Sequence, residues 1–345
     1  MTNPLVSDLA GQDRSYPKLW EPFHGARIFM TGGTGFFGGW LLESFLWAKE
    51  NGNLDAEITV LTRDPSAFEE RRPRHARGAG VTVLQGDVLS LVPPAEPFTH
   101  VIHCAAPVGD RLGGRAQGSL ARELVEGTRK VMDFARGCGA QRVLLASSGA
   151  VYGSPSNGAP MVSEDDAGAR PGGLALTEYG QGKKGAEELA IRAGGDHHLE
   201  VVIARCFAFA GPYLPLDGPY AIGNFVRDAL RHGPIEVKGD GTSVRSFMYG
   251  ADLATWLWTL LADGRAGRAY NVGSEHSISI SGLAHLVVRA LGSGGRVEIA
   301  KPARDGSPVE RYVPSTKRAR TELGLMDTFD LETSICRMAE FASHR

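Results

Sequence analysis

The sequence predicts an α/β fold, a doubly wound parallel sheet with helices on both faces and a smaller mixed α/β lobe. Three observations predict it. Short apolar runs alternate with stretches of helical spacing. A glycine-rich turn stands directly between the first run and the first helix. After Gly211-Pro212 the texture loosens into glycine, proline and short amphipathic pieces. The 345 residues leave room for about two structural units.

Taken in order, residues 1–24 read as an arm without a repeating pattern, pinned by Trp20 and Phe23. Arg27-Ile28-Phe29-Met30 is the first strand, and Trp40 to Trp47 has helical spacing. Further strands are expected at Glu57–Leu61, Val81–Leu84, His100–Ala105, Arg142–Ala146 and Leu199–Ala204, with helices near Leu120–Gly137 and Tyr179–Ala193. Short buried strands alternating with helices are the mark of β-α-β units and of a sheet covered on both faces. Residues 25–205 are assigned to this domain. Residues 206–325 form mainly the second lobe, with segments returning to the first, and residues 326–345 a closing helix.

Lys+Arg minus Asp+Glu leaves a net charge of −2, which gives no global electrostatic case for nucleic acid or an anionic membrane. Cys104, Cys138, Cys206 and Cys336 are too few for a disulfide scaffold and have no metal spacing. The histidines show no metal spacing either, so no metal site is expected. No apolar run of about 18 residues is present to span a membrane, and the first residues lack a signal-peptide pattern. The expectation is a soluble cytoplasmic protein.

Thr31-Gly32-Gly33-Thr34-Gly35-Phe36-Phe37-Gly38 carries the chemistry of a Rossmann-type dinucleotide site. Gly32, Gly35 and Gly38 form G-x-x-G-x-x-G. Glycine lets the chain turn sharply, lets the backbone approach a pyrophosphate, and lets the helix pack closely on the sheet. The helix N-terminus offers N–H groups and positive dipole to phosphate. Phe36 and Phe37, between these glycines, are candidate cofactor contacts. So are Ala105 and Ala106 at the end of the fourth strand, and Asp87 and Val88 after the third. An acid at the end of the second strand would select NAD. Thr62 and Arg63 stand there instead, and a hydroxyl with a guanidinium fork suits a 2′-phosphate. NADP is therefore preferred, with NAD the alternative should Asp64 take the acid's place. The basic run Arg71-Arg72-Pro73-Arg74 reads either as a solvated helix end or as added charge near that phosphate.

Tyr179 and Lys183 are four residues apart and share a helix face. A phenol with an ordinary pKa near 10 is a poor base at neutral pH, and an ammonium beside it favours phenolate. Such a pair can pass a proton to or from a carbinol oxygen while hydride moves at carbon. Ser148, where the fifth strand ends in Ser147-Ser148-Gly149-Ala150-Val151-Tyr152-Gly153, can bond the same oxygen, and is chosen over Ser147.

TGGTGFFG, HCAA, SSGAVYG and YGQGK, in this order, resemble the extended short-chain dehydrogenase/reductases, over roughly residues 25–325. These are NAD(P)-dependent nucleotide-sugar epimerases, dehydratases and ketoreductases. The resemblance implies Ser148, Tyr179 and Lys183 as the catalytic set, with Tyr179 and Lys183 also touching the cofactor. It implies a nucleotide-sugar diphosphate held by the second lobe, with Arg245 of Arg245-Ser246-Phe247-Met248-Tyr249 as a contact. Arg311, in Glu310-Arg311-Tyr312, is a second candidate. It further implies a homodimer built on the helix carrying Tyr179 and the helix before it. Four positions depart from the family pattern. Ala208 and Leu124 replace usual asparagines, Gly182 a serine, and Glu178 a proline.

The resemblance implies an Asp-Glu or Asp-Lys pair just after the serine in 4,6-dehydratases; Gly149 and Ala150 stand there and cannot move protons, so 4,6-dehydration is disfavoured. Redox at carbon 4 remains. NADPH-dependent reduction of a nucleotide-linked 4-keto-6-deoxyhexose ranks above 4-epimerisation with retained NAD, and a non-catalytic dinucleotide-binding role ranks last because the Tyr/Lys pair is kept.

Overall fold

The computed structural model describes residues 4–92, 96–107, 118–153, 160–166, 176–195, 199–303 and 309–344. In chain order its elements begin with α1 (Pro4–Ser15), β1 (Ala26–Thr31), α2 (Phe36–Glu50), β2 (Ala56–Thr62), α3 (Pro65–Arg71), α4 (Pro73–Ala76) and β3 (Val81–Gln85). Next come β4 (His100–His103), α5 (Ser119–Gly137), β5 (Arg142–Ser148), α6 (Glu178–Gly195) and β6 (Glu200–Cys206). Then follow β7 (Phe209–Ala210), α7 (Ala221–Leu230), β8 (Ile235–Val237), β9 (Val244–Ser246), β10 (Met248–Tyr249), α8 (Gly250–Asp263) and β11 (Ala269–Val272). The last are β12 (Ser277–Ser279), α9 (Ile280–Leu291), β13 (Val297–Ile299), β14 (Arg311–Tyr312), α10 (Lys317–Leu323) and α11 (Leu331–Ser343).

These elements sort into two compact units, and neither is one continuous stretch. The first comprises Met1–Val151, Thr177–Arg205 and Leu253–Tyr270; the second, Tyr152–Leu176, Cys206–Asp252 and Asn271–Arg345.

The first unit is built on a seven-stranded sheet in the order β11-β6-β5-β4-β1-β2-β3. β1 pairs in parallel with β2 and with β4, β2 with β3, and β4 with β5. Residues of β4 and the interior of β5 are buried without alternation, because both faces are covered. That is why their sequences read as continuous apolar runs. β2 and β3 step to one side of β1 while β4, β5 and β6 step to the other. The order reverses between β1 and β4, and the carboxyl ends of those strands frame the switch-point crevice where open α/β sheets bind ligands.

The arm expected at residues 1–24 contains the helix α1. Leu5 and Leu9 lie on one face and are buried, and Gln12 accepts a hydrogen bond from Thr255 Oγ1 at 2.9 Å. Its mixed polar sequence hides the period, since Asp8 and Gln12 are buried as well. Trp20 and Phe23 are buried against Trp258, with ring centroids 5.3 and 5.2 Å away. Trp258 donates from Nε1 to Ser44 Oγ at 2.9 Å, so part of α8 completes the first unit from far along the chain.

In the second unit, α7, α9 and α11 share a core that includes Ile222, Phe225, Val226, Leu283, Val287 and Ile335. Small sheets of order β12-β9-β14 and β13-β8 accompany it. Tyr152–Leu176 belongs here rather than with residues 25–205, because Asn271 ties it in. Asn271 accepts from Tyr152 Oη at 2.6 Å, and its amide Nδ2 donates to Val162 O at 2.9 Å and Ser315 O at 3.0 Å.

Candidate functional site

The glycine loop joins β1 to α2 at the switch point. Gly32 has φ +77°, and a Cβ there would lie 2.6 Å from the backbone of Cys104 and Ala105, the residues that follow β4. Gly38 sits equally close to the loop's own backbone: a Cβ would meet Gly33 Cα at 2.3 Å. A Cβ on Gly33 would lie 2.4 Å from Val60 Cγ1. Thr31 seals the joint, since its Oγ1 accepts from Ala105 N at 3.3 Å while its carbonyl accepts from Cys104 N at 3.1 Å. Gly35 is the N-cap of α2 and supplies no side-chain acceptor. The first turn of that helix therefore opens on backbone alone, with the exposed Gly35 ahead of half-buried Phe36 and Phe37. A diphosphate fits this cradle, held by backbone N–H groups and the helix dipole.

Thr62 is buried at the end of β2 and Arg63 is exposed beyond it. Asp64 is the N-cap of α3, its carboxylate accepting from Ala67 N at 2.9 Å. Asp87 likewise caps a short turn, accepting from Leu89 N at 2.9 Å, and lies 4.0 Å from Arg63 Nε. Val88 follows it, half-buried beside α5 near Gly127. Of the basic run, Arg72 reaches the loop itself, donating from a terminal nitrogen to Gly35 O at 3.1 Å. Arg74 turns instead to Glu43 and Glu50, at 2.6 and 2.8 Å. The buried His75 contacts Glu43 at 2.7 Å, and burial lowers its pKa.

His103, which its place in an apolar strand marks as a core or cofactor-shell residue rather than a metal ligand, is buried. It closes β4 with Nδ1 2.7 Å from Thr31 Oγ1 and Nε2 3.4 Å from Thr128 Oγ1. Burial, then the nearby Lys183 ammonium, lowers its pKa to about 3, so the ring is neutral. It is a fixed spacer between the loop, β4 and α5. Burial also pushes the Cys104 thiol up to about 12, against the pull of Lys183, so it is an inert thiol. Ala105 and Ala106, both half-buried, follow it at the crevice.

Tyr179 and Lys183 occupy successive turns of α6, with Lys183 Nζ 5.8 Å from the centroid of the Tyr179 ring. Lys183 is buried and donates to Ala146 O at 2.8 Å, which pins the ammonium at the carboxyl end of β5. Two residues on, Ser148 is half-buried and its Oγ accepts from Ala150 N at 3.2 Å. Ser147 points its hydroxyl to the buried Glu187 carboxylate. Adjacent strand residues face opposite ways, so of the two serines Ser148 is the one not committed to that carboxylate.

Three of the four unusual positions acquire a physical account. A Cβ at Gly182 would lie 2.7 Å from Leu124 Cδ1 and 2.8 Å from Ala121 Cα, so the glycine and the leucine complement each other where α5 meets α6. Glu178 accepts from Leu120 N at 2.7 Å and Ala121 N at 3.3 Å, capping α5 from the first residue of α6. Nothing in the structure explains Ala208.

In the second unit, Arg245 bonds Glu310 at 2.8 Å and lies over the Tyr312 ring, 5.7 Å from its centroid. Arg311 donates from Nε to Pro160 O at 3.3 Å. Among the described residues no cluster of His, Cys, Asp and Glu could hold a metal, and no helix is long and apolar enough to cross a membrane.

A parallel sheet with a glycine loop at its switch point defines a Rossmann-type α/β protein. Residues 28–273 match the NAD dependent epimerase/dehydratase family, and the chain belongs to it. UDP-glucuronic acid decarboxylase 4 of Arabidopsis thaliana is 28% identical over 299 residues, 86% of this chain and 64% of that protein. The chain thus spans less than two thirds of that relative's length. UDP-glucuronate 4-epimerase 3 of the same plant is 27% identical over 339 residues, 92% of this chain and 76% of the relative. An epimerase structure from Methanothermobacter thermautotrophicus superposes with a TM-score of 0.79 at 20% identity, covering 95% of this chain and 96% of its own. A UDP-glucuronic acid 4-epimerase from Bacillus cereus, solved with UDP-glucuronic acid and NAD, gives 0.76 at 20% identity, covering 92% and 99%. At these identities the structural likeness is one of fold.

Proposed function

We propose that the chain is an NAD(P)-dependent enzyme that moves hydride at carbon 4 of a nucleotide-linked sugar. The observation that carries this reading is the Lys183 ammonium, anchored on Ala146 O and held over Tyr179 at the end of β5. A bound nicotinamide would supply the hydride acceptor or donor. Tyr179 exchanges the proton of the 4-oxygen, Lys183 favours the phenolate, and Ser148 bonds the same oxygen. Gly32, Gly35, Phe36, Phe37 and Gly38 hold the pyrophosphate. Val88, Ala105 and Ala106 line the dinucleotide. Arg245 and Arg311 are the proposed contacts to the substrate diphosphate, and a homodimer in the cytoplasm is the proposed setting.

Two finer readings share this site. Use of NADPH in a single 4-ketoreduction is supported by Arg63 at the end of β2, by Arg72 on the loop carbonyl, and by Asp64's engagement as a helix cap. An internal cycle with retained NAD is supported by the relatives that are named as epimerases and decarboxylases. For a uronic acid the second needs no base to break the carbon–carbon bond, and the enolate that is left takes a proton at carbon 5 from water before hydride returns to carbon 4. Oxidation at carbon 4 makes the carboxylate at carbon 5 a β-keto acid, which loses carbon dioxide without a proton donor at that step.

The test is incubation with UDP-glucuronic acid, UDP-glucose and a dTDP-4-keto-6-deoxyhexose, each with NAD⁺ or NADPH, followed by chromatography of the sugars. NADPH consumption with the ketosugar supports the reductase; isomerisation or loss of carbon dioxide without net cofactor use supports the internal cycle. Tyr179→Phe is expected to lower turnover at least about 10²-fold with dinucleotide affinity held. Full turnover in that variant defeats the assignment.

A further inference from the structure

A buried ion pair lies one helical turn beyond Lys183. Glu187 and Arg205 are both buried, and Arg205 grips the carboxylate with two nitrogens, Nε at 3.1 Å from Oε1 and a terminal nitrogen at 2.7 Å from Oε2. Ser147 donates to the same carboxylate. One side chain of α6 is thus tied to β5 through Ser147 and to β6 through Arg205. Such a pair is a poor means of adding stability, because desolvating two charges offsets most of their attraction, and an apolar replacement often serves as well. What it supplies is direction, since a guanidinium fork accepts a carboxylate in one orientation.

The helix needs that direction here. Around Tyr179 and Lys183, α6 carries Gly180, Gly182 and Gly185. A Cβ at these positions would lie 2.5 Å from Ala150 O, 2.7 Å from Leu124 Cδ1 and 3.0 Å from Val125 Cγ2 respectively. At these three positions the helix meets Ala150 and α5 closely with no side chain of its own. The hydrophobic effect is non-directional; the Glu187–Arg205 fork is not.

We infer that Glu187 is a positioning residue, whose carboxylate, shared between Arg205 and Ser147, fixes the register of α6 on β5 and so sets the Lys183 ammonium against the Tyr179 phenol. The inference rests on the reading of Tyr179 and Lys183 as a working pair.

Its test needs no substrate. The near-ultraviolet tyrosinate titration of the chain, minus that of Tyr179→Phe, isolates Tyr179. In Glu187→Gln and in Arg205→Lys, the Tyr179 titration is expected to move up by at least about half a pH unit, because the ammonium is no longer held in place. The direction discriminates. Deleting a nearby negative charge would by its field alone move the titration down. Arg205→Lys keeps both charges and loses only the fork, so it carries the test if Glu187→Gln fails to fold. In the same variants kcat is expected to fall about 10-fold or more, with KM little changed and dinucleotide affinity kept. A folded variant whose Tyr179 titration stays or moves down overturns the inference. If the parent chain shows Tyr179 titrating as an ordinary phenol, the reading of the pair fails first and takes the inference with it.

Discussion

Two glycines with the same backbone conformation separate the cost of conformation from the cost of contact. Gly32 has φ +77° and Gly52 φ +73°. Alanine at either must hold a left-handed conformation, at roughly 1–2 kcal/mol. Around Gly52 nothing lies within 4 Å of a new Cβ. At Gly32 the Cβ would lie 2.6 Å from Ala105 N and Cys104 C, about 0.8 Å inside ordinary contact at 3.4 Å. The obstructing atoms are backbone, so the loop or the end of β4 must shift, adding about 1–3 kcal/mol. Gly32→Ala is therefore expected to melt roughly 2–12 °C below Gly52→Ala, at about 2–4 °C per kcal/mol for a unit of this size. If the loop yields rather than β4, NAD(H) affinity falls with it, about tenfold for each 1.4 kcal/mol, while Gly52→Ala binds as the parent does. Thermal unfolding and nicotinamide fluorescence titration read both quantities. Equal melting and equal affinity in the two variants would refute the close approach on which the cradle rests.

Other outcomes follow from the same geometry. Arg63→Ala with Arg72→Ala is expected to weaken NADPH binding at least about tenfold, by loss of charge-assisted bonds, and to leave NADH binding within about twofold; equal weakening of both would place the two arginines away from the 2′-position. Gly182→Ala should destabilise by about 1–3 kcal/mol and by less in a Leu124→Ala background, since one of its two obstructions is then gone; strict additivity in urea unfolding would deny that these positions are coupled. Acid stability follows from His100, lowered to about 4 by burial and then Arg142, and His103, lowered to about 3 by burial and then Lys183. The unfolded chain takes up these protons near pH 6.5 and the folded chain does not until about 4 and about 3. This stability is whole above pH 6.5 and is lost as pH falls, by about 1.4 kcal/mol per pH unit for each ring. Unfolding at about pH 6.5 and 5 reads the slope, and His103→Asn is expected to remove one ring's share of it, about 1.4 kcal/mol per pH unit. An unchanged slope would mean that the ring is not held neutral.

The sheet was legible because strands buried on both faces leave unbroken apolar runs, and the loop because no other residue tolerates the contacts at Gly32 and Gly38. Tyr179 and Lys183 were legible through helical spacing together with the serines that end the fifth strand upstream and the resemblance to the family. The helix α1 was not, because its buried face includes Asp8 and Gln12, whose partners lie far along the chain or beside them and leave no apolar period. Nor was the assignment of Tyr152–Leu176, which rests on distant partners, among them Asn271 and the backbone of Val313 and Ser315 on Val162. The partners of His103 and the pairing of Glu187 with Arg205 were passed over for a related reason. A buried polar residue announces itself by its partners, and Thr31, Thr128 and Ser147 are distant in sequence from the groups they satisfy.

The return of α8 to the first unit has a consequence for how that unit is made. Trp20, Phe23 and Ser44 all meet Trp258, more than two hundred positions later. A nascent chain that has emerged as far as Arg205 has every strand of the first unit except the last, yet still lacks the indole that covers two of its aromatic rings. Consolidation must wait for synthesis of the segment from Leu253 to Tyr270, so the two halves mature together. A piece cut after Arg205 is expected to clump, whereas the same piece mixed with a peptide spanning that segment should recover its tryptophan environment.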